Sequence, residues 1–209
     1  MRTRVAQRRE RTRAEIVETA LDVMGERGAA GLSLGEVAKR LGMQTPSLYG
    51  YYASKAALCD EMFAGGWRDL NDAMTSHHER LRQLTSIDEL KGEIHAGLDV
   101  YVRWALGHAP VAQLMFWRPI PGWQPGAEAF APAVEALTSV TSSLAGLQAR
   151  GLLRAEADVE EMTSALTVLA SGVISQQLSN EPTASVSDGR HSRHLAALAE
   201  MFHQRYAAR

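Results

Sequence analysis

The sequence predicts an all-α protein, with an N-terminal three-helix helix-turn-helix domain followed by a larger helical domain. Apolar residues recur close to the 3.6-residue period of an α-helix almost throughout the 209 residues. The alternation of apolar and polar residues that marks half-buried strands does not persist anywhere in the sequence. Glycine and proline stand mainly where the helical pattern breaks. We expect the first domain to occupy residues 1–54 and the second domain residues 55–209.

Capping residues delimit the helices of the N-terminal domain. Residues 12–27 have the apolar spacing of an amphipathic helix, and two glycines follow them. A Ser or Thr before an apolar run is a preferred N-cap, because its hydroxyl accepts a free backbone N–H. The expected N-caps of the next three helices are Ser33, Thr45 and Ser54. Glu36 stands three residues after Ser33, which completes a capping box.

The rest of the chain continues as helices and is more acidic and more apolar. Residues 118–126, RPIPGWQPG, carry three prolines and two glycines and are expected to form a loop. Residues 181–189 are polar, contain a proline and are also expected to be a loop. The first predicted helix of this part begins at residue 55. The helices after it are predicted to span residues 86–108, 111–117, 128–151, 158–180 and 190–207.

Composition excludes several classes of protein. The single cysteine, Cys59, cannot form an internal disulfide, so a reducing compartment fits and we interpret Cys59 as a small apolar residue in a helix. No apolar run approaches the roughly 20 residues that span a bilayer. The arginine-rich N-terminus lacks the apolar stretch of a secretory signal. We therefore expect a cytoplasmic protein with no membrane partner.

The net charge of −2 hides an uneven distribution. Residues 1–58 carry ten basic and six acidic residues, whereas residues 59–209 carry twelve basic and eighteen acidic residues. A basic arm of this kind suits a polyanion such as DNA, although charge alone fits a solvated tail equally well. The arm contains Arg2, Arg4, Arg8, Arg9, Arg11 and Arg13.

Residues 32–58 predict a short helix, a tight turn and a second short helix. A helix-turn-helix places its second helix in the major groove of DNA, which is about 12 Å wide. Leu48 and Tyr52 are expected to face inward, toward the preceding helices. Ser33 and Lys55 stand at helix N-termini, where backbone N–H groups favour phosphate. The polar face of the second helix and of the residues after it would carry Gln44, Thr45, Ser47, Tyr49 and Tyr51.

The string GMQTPSLYGYYASKAAL, residues 42–58, resembles the recognition region of the TetR family of bacterial repressors. Residues 11–42 are similar to the first two helices of that family, and the resemblance covers roughly residues 10–63. The family usually has His-Phe where this chain has Tyr51-Tyr52. The hydroxyl of Tyr51 can still contact a phosphate, so the departure leaves the binding mode intact.

The resemblance implies a homodimeric repressor that binds a pseudo-palindromic double-stranded DNA operator and is released by a small-molecule effector. It implies that Thr45, Pro46 and Ser47 meet base edges or thymine methyls, with Gln44 on the same face. Backbone phosphates would be bound by Ser33, Tyr49, Tyr51 and Lys55.

The resemblance also implies a helical C-terminal domain that holds a ligand pocket. Aromatic and methionine side chains cluster around the proline-rich break, where they can line an apolar cavity. The alternative is a plain hydrophobic core covered by a loop. Arg103, Gln113 and Arg118 are further polar candidates. The predicted ligand-binding residues are Trp104, His108, Met115, Phe116, Trp117, Trp123 and Phe130.

The last two helices are expected to form the dimer interface, as two helices from each subunit in a four-helix bundle. Burial inside one subunit is the alternative for these positions. Dimerisation would place two recognition helices about 34 Å apart, the spacing of successive major grooves. The predicted interface residues are Leu169, Val173, Gln176, Leu195, Leu198 and Phe202.

No catalytic constellation stands out in the sequence. The histidines have no Cys or carboxylate partner at a metal-ligand spacing, and no Gly-rich phosphate loop or serine elbow occurs. We therefore predict no catalytic residue, no metal and no cofactor. Two alternatives remain: a regulator gated by a protein partner, and a helical binding module or enzyme whose DNA-binding head is non-functional.

Overall fold

A computed structural model describes residues 4–208, and helices dominate this part of the chain. The prediction of an all-α fold is confirmed, since the only β-type pairing among the described residues is an isolated bridge between Leu153 and Ala207. A single 3₁₀ turn, Ser192–His194, precedes the last helix. The helices are α1 Arg4–Gly31, α2 Leu34–Arg40, α3 Thr45–Tyr49, α4 Lys55–Gln83, α5 Ile87–Gly107, α6 Ala109–Trp117, α7 Ala127–Ala149, α8 Val159–Asn180 and α9 Leu195–Tyr206.

Helix α1 begins eight residues earlier than its apolar spacing predicts. The arm is helical from Arg4 onward, whereas Arg2 lies outside the described residues. Arg, Gln, Glu and Ala are good helix formers, so the arm continues the helix without an apolar face of its own. Near its other end α1 is interrupted at Gly28, whose φ of 68° is a conformation that glycine adopts without strain.

Two of the three predicted caps form. Ser33 Oγ accepts the backbone N–H of Glu36 at 3.1 Å, and Ser54 Oγ accepts that of Ala57 at 3.1 Å. The prediction of Thr45 as an N-cap is wrong, because Thr45 is the first residue of α3. Gln44 is the N-cap: its backbone is extended, and its carbonyl accepts the N–H of Ser47 at 2.9 Å.

The C-terminal helix is shorter than residues 190–207. Buried Gln177 on α8 accepts the backbone N–H groups of His191 and Ser192 at 3.2 and 3.3 Å. The Ser192 hydroxyl donates to the carbonyl of Val186 at 2.7 Å. These bonds fix the loop onto α8, so the regular helix begins only at Leu195.

The chain groups into two compact units. Unit 1 holds residues 4–66 and 109–131, and unit 2 holds residues 67–108 and 132–208. The boundary between the two units lies between residues 66 and 67, inside α4. The domain boundary between residues 54 and 55 therefore stays a prediction. Within unit 1, Gly66 permits a close approach of α6: a Cβ there would lie 2.5 Å from Met115 Sδ. This packing explains why α6 belongs with the N-terminal segment.

Each unit has its own apolar core. In unit 1, Cys59 is completely buried, as predicted for a small apolar residue, and burial raises the pKa of its thiol to about 11. Helices α8 and α9 both pack against α5 in unit 2. Fully buried side chains include Ile16, Leu48, Leu58 and Phe63 in unit 1, and Leu90, Leu144, Leu147 and Leu153 in unit 2.

Two features are absent from residues 4–208. None of the helices there combines the length and the apolar character that crossing a bilayer requires. The same residues bring no three His, Cys, Asp or Glu side chains together in a way that could hold a metal ion.

Candidate DNA-binding surface and ligand cavity

The turn between α2 and α3 fixes the direction of α3. Gly42 has a φ of +63°, which a residue with a Cβ adopts only with strain. The backbone N–H of Met43 closes the end of α2 by donating to the carbonyl of Ala38 at 2.9 Å. Leu48 and Tyr52 are buried, which confirms the prediction that they face inward. One face of α3 is thereby anchored, and the opposite face is left toward solvent.

The predicted DNA-contact residues occupy that outer face and its surroundings. Tyr49 is 52% exposed although it is aromatic, which is unusual for a large apolar ring. Thr45, Tyr51 and Lys55 are half-buried. The exposed members of the predicted set are Ser33, Gln44, Pro46, Ser47 and Tyr49.

Ion pairs hold α2 against α1. Both terminal nitrogens of Arg40 donate to the Glu26 carboxylate, at 2.9 and 2.6 Å, and its Nε donates to Glu36 at 3.2 Å. Hydrogen bonds to Glu26 and then Glu36 raise the pKa of Arg40. Arg27 also pairs with Glu36, at 3.2 Å. The Glu36 carboxylate predicted for the capping box thus takes part in this cluster, which sets the orientation of the helix-turn-helix.

Two arm residues that sequence reasoning did not single out contact the aromatic pair. Arg9 donates to the carbonyl of Gly50 at 2.8 Å, and its guanidinium lies 5.2 Å from the ring centroid of Tyr51. Arg13 lies 4.8 Å from the ring centroid of Tyr52 and pairs with Glu61. Arg9 and Arg13 are four residues apart, so they share a helix face once α1 extends through the arm. Helix propensity in the arm was the signal that could have revealed this face.

Five of the seven predicted ligand-binding residues lie in unit 1. Trp123 donates from its indole N–H to Asp60 at 3.0 Å, and its ring meets Phe63 edge-on, with ring centroids 5.9 Å apart. Phe130 stacks on Phe63 at 6.0 Å. Met115 is buried, Trp117 is 42% exposed, and Phe116 meets Trp117 edge-on. These residues pack the proline-rich loop and α6 against the start of α4.

The other two predicted ligand-binding residues, Trp104 and His108, lie in unit 2. Their rings stack with centroids 4.9 Å apart, and His108 Nδ1 lies 2.8 Å from the Trp104 carbonyl. The seven residues are thus divided between the two units, and their role in ligand binding stays a prediction. The loop packs within unit 1, and the last turns of α5 extend past the cavity described next.

Unit 2 contains an apolar cavity of about 90 Å³ between α4, α5, α7 and α8. On α5 the lining follows one helical stripe, from Ile94 to Tyr101; Trp104 and His108 continue it one and two turns beyond the lining. Polar groups in the wall are His77, His78, Tyr101, Ser143 and Thr167. Apolar lining residues are Met74, Leu81, Ile94, Leu98, Val140, Leu144, Leu166 and Ala170.

Both histidines of the wall favour the uncharged form. Burial, with a contribution from neighbouring His78, lowers the pKa of His77 to about 4, although Glu93 at 3.5 Å favours the charged form. Burial, with a smaller effect of Arg82, lowers the pKa of His78. The His77 ring packs on Gly97, where a Cβ would lie 2.4 Å from His77 Nε2. The cavity wall is therefore uncharged near neutral pH.

The predicted dimer residues divide between the core and the surface. Val173, Leu195 and Phe202 are buried within their own subunit. Leu169 and Leu198 are half-buried, and Gln176 is exposed. Two apolar residues that were not predicted are much more exposed: Val168 on α8, at 66%, and Met201 on α9, at 61%.

Comparisons with known proteins match this architecture. Residues 16–62 match the family model described as bacterial regulatory proteins, tetR family. The HTH-type transcriptional regulator Rv1816 of Mycobacterium tuberculosis is 30% identical over 115 residues, which cover 55% of this chain and 47% of that protein. The tetracycline repressor class A from transposon 1721 of Escherichia coli is 40% identical over 47 residues, 22% of each chain.

A solved structure matches nearly the whole fold. The TetR family transcriptional regulator PfmR from Thermus thermophilus superposes with a TM-score of 0.69 and 18% identity, over 90% of this chain and 97% of that one. The match to the mycobacterial regulator, by contrast, spans only about half the length of that protein.

Proposed function

We propose that the chain is a member of the TetR family of bacterial regulatory proteins, whose model residues 16–62 match, and that it is a sequence-specific DNA-binding transcriptional regulator. The observation that carries the proposal is the outer face of α3, where polar residues and an exposed tyrosine stand on a helix anchored by buried Leu48. A short helix with such a face suits the major groove of DNA. The arm on α1 adds positive charge next to that face.

Each contact residue has a role in this proposal. Gln44, Thr45, Pro46 and Ser47 stand at the start of α3, and the first residues of a recognition helix meet base edges. Contacts to phosphates position the protein and carry no sequence information themselves. We assign those contacts to Ser33, Tyr49, Tyr51 and Lys55.

The regulator acts as a homodimer in this proposal. Two recognition helices about 34 Å apart would meet successive major grooves of a pseudo-palindromic operator. The subunit surface on α8 and α9 would include half-buried Leu169 and Leu198 and exposed Gln176, with Val168 and Met201 beside them. Exposed apolar side chains on adjoining helices support an interface there.

A small molecule in the cavity of unit 2 would release the operator, which makes the protein a repressor. The cavity has an apolar lining with a few polar groups, as ligand sites commonly do. We propose this cavity as the ligand site in place of the seven ligand-binding residues predicted from the sequence, because five of those seven residues pack in unit 1. Operator and effector would then oppose each other's binding by the same factor.

Fluorescence polarisation with labelled duplexes tests the DNA-binding proposal. The protein should bind a duplex from its own upstream region more tightly than a random duplex at the same salt concentration. Loss of a base or phosphate contact in Thr45→Ala or Tyr49→Phe should weaken operator binding about fivefold or more. Thr19→Ala, which removes a hydroxyl from α1 that bonds only to the Glu15 carbonyl at 2.8 Å, is the matched control.

Equal affinity for the two duplexes would contradict sequence-specific binding. Unchanged affinity in both α3 variants would reject the contact assignments alone. Sedimentation analysis with and without the operator would measure whether two subunits bind one site.

A further inference from the structure

A polar groove adjoins the apolar cavity of unit 2. The groove lies between α4 and α7, has a volume of about 400 Å³, and shares His78 and Ser143 with the cavity. Its other lining groups include hydroxyls and an amide, on Asn71, Thr75 and Ser139. An apolar space and a polar space therefore meet at one pair of side chains.

The shared pair has a defined hydrogen-bond direction. Ser143 Oγ donates its single proton to the Ser139 carbonyl at 2.8 Å, because a carbonyl can only accept. His78 Nδ1 lies 3.1 Å from Ser143 Oγ and must therefore be the donor of that bond. An uncharged His78 with its proton on Nδ1 has an acceptor at Nε2. The wall common to both spaces thus offers an acceptor to a hydroxyl or amide N–H.

The cavity and the groove differ in the charged residues of their linings. The cavity lining contains no Asp, Glu, Lys or Arg, so an ionised ligand group there would lose its hydration without a partner. The groove does carry charged residues of both signs: Asp72, Arg82 and Glu135. With one cation against two carboxylates, the groove favours an uncharged, hydrogen-bonding group over an anion.

We propose that the effector is an uncharged amphiphile, with an apolar part in the cavity and a hydroxyl-bearing end in the groove, where a ligand hydroxyl donates to His78. This inference rests on the proposed function of the cavity as the effector site. It adds the chemical class of the ligand and its orientation: the apolar part lies toward Ile94 and Leu166, and the polar end lies toward Asn71.

A displacement assay with three ligands of equal chain length tests the class of ligand. The neutral fluorescent probe N-phenyl-1-naphthylamine is bound first and then displaced by n-octyl β-D-glucoside below its micelle concentration, by the ether 1-methoxyoctane, which has no hydroxyl, or by octanoate. The glucoside should bind about fivefold more tightly than 1-methoxyoctane, a difference that corresponds to roughly one net hydrogen bond. Octanoate should bind about tenfold more weakly than the glucoside, because its charged end would meet two carboxylates and one arginine in the groove.

The Ser143→Ala variant tests the orientation. It removes the hydroxyl that fixes His78, so the glucoside should bind more weakly and its preference over 1-methoxyoctane should fall toward unity. Ser164→Ala, an exposed serine on α8 outside both linings, is the control and should keep the preference. Octanoate binding as tightly as the glucoside would overturn the proposal, as would equal preferences in the two variants or no binding of probe and ligands.

Operator affinity measured in the same samples separates this inference from the proposed function. Selective binding of the glucoside with unchanged operator affinity would sustain the ligand class and reject the cavity as the effector site. Release of the operator by 1-methoxyoctane and the glucoside alike would sustain the proposed function and overturn the inference.

Discussion

The DNA-binding surface of unit 1 and the cavity of unit 2 are assembled in different ways. The surface is drawn mostly from one short segment, residues 33–55, whose caps and turn fix the side chains locally. The cavity is drawn from four helices, and its lining extends from Met74 to Ala170. A site that is contiguous in sequence can be recognised from its pattern, whereas a site made by tertiary packing cannot. Variants in each unit can test how separate the two sites are.

Gly97→Ala should give the largest effect and should act on the cavity. The new methyl group would meet the His77 ring at 2.4 Å, inside a packed helix pair. Overpacking of this kind costs about 1–3 kcal/mol of unfolding free energy. Urea unfolding and probe displacement would measure the loss of stability and of ligand affinity.

Gly92→Ala is the matched control, because it lies on the same helix with nothing within 4 Å of the added Cβ. It should stabilise the protein by about 0.5–1 kcal/mol through helix propensity. Operator affinity of the folded protein should stay the same in both variants. A weaker operator complex in Gly97→Ala alone would show that the two sites are coupled without ligand.

Acid should destabilise the protein through His77. Burial holds its pKa at about 4, whereas in the unfolded chain it titrates near 6.5, so between these values the unfolded state binds the additional proton. The stability is complete above pH 6.5 and declines as the pH falls, by about 2 kcal/mol between pH 7.5 and pH 5. Urea unfolding at the two pH values would measure this loss.

His77→Gln keeps a polar side chain of similar size and removes the titration. This variant should lose most of that pH dependence, although His78 still titrates nearby. Equal slopes of stability against pH in the two proteins would mean that folding does not lower the pKa of His77.

Arg9→Ala should give the smallest effect and should act on the DNA-binding surface. Loss of its bond to the Gly50 carbonyl and of its contact with Tyr51 frees the end of α3. We expect a decrease of about fivefold in operator affinity, near 1 kcal/mol, measured by fluorescence polarisation.

Arg8→Ala, the adjacent exposed arginine, removes the same charge and is the control. Both variants should weaken binding to random DNA equally, because that binding depends on charge. Only Arg9→Ala should reduce the ratio of operator to random affinity. The same ratio in both variants would limit the role of Arg9 to charge.

The ends of the helices could be predicted from the sequence where residues close in the chain determine them. The loop at residues 118–126 and the caps Ser33 and Ser54 follow from proline, glycine and hydroxyl chemistry, and all three are present. The start of α1 at Arg4 was missed because apolar spacing begins only near Ile16, although helix propensity continues through the arm.

The residues that line the cavity of unit 2 could not be predicted in the same way. Trp123 and Phe130 have the composition of a ligand pocket, yet they pack on Phe63 in unit 1. His77 and Ser143 have unremarkable sequence surroundings, and only the packing of α4, α5 and α7 places them at a cavity. Which helix faces meet is decided by tertiary packing, which a single sequence does not display.

The burial of Cys59 has a practical consequence for labelling. Its thiol is enclosed in the core and stays protonated near neutral pH, so thiol reagents, which attack the thiolate, should leave it unmodified. The chain has no other cysteine. An Ala53→Cys substitution would therefore place a single reactive thiol at an exposed residue close to α3 and outside the proposed DNA contacts, and the native cysteine could be kept. Spin labels attached there would measure the separation of the recognition helices in the proposed dimer, with operator and with ligand.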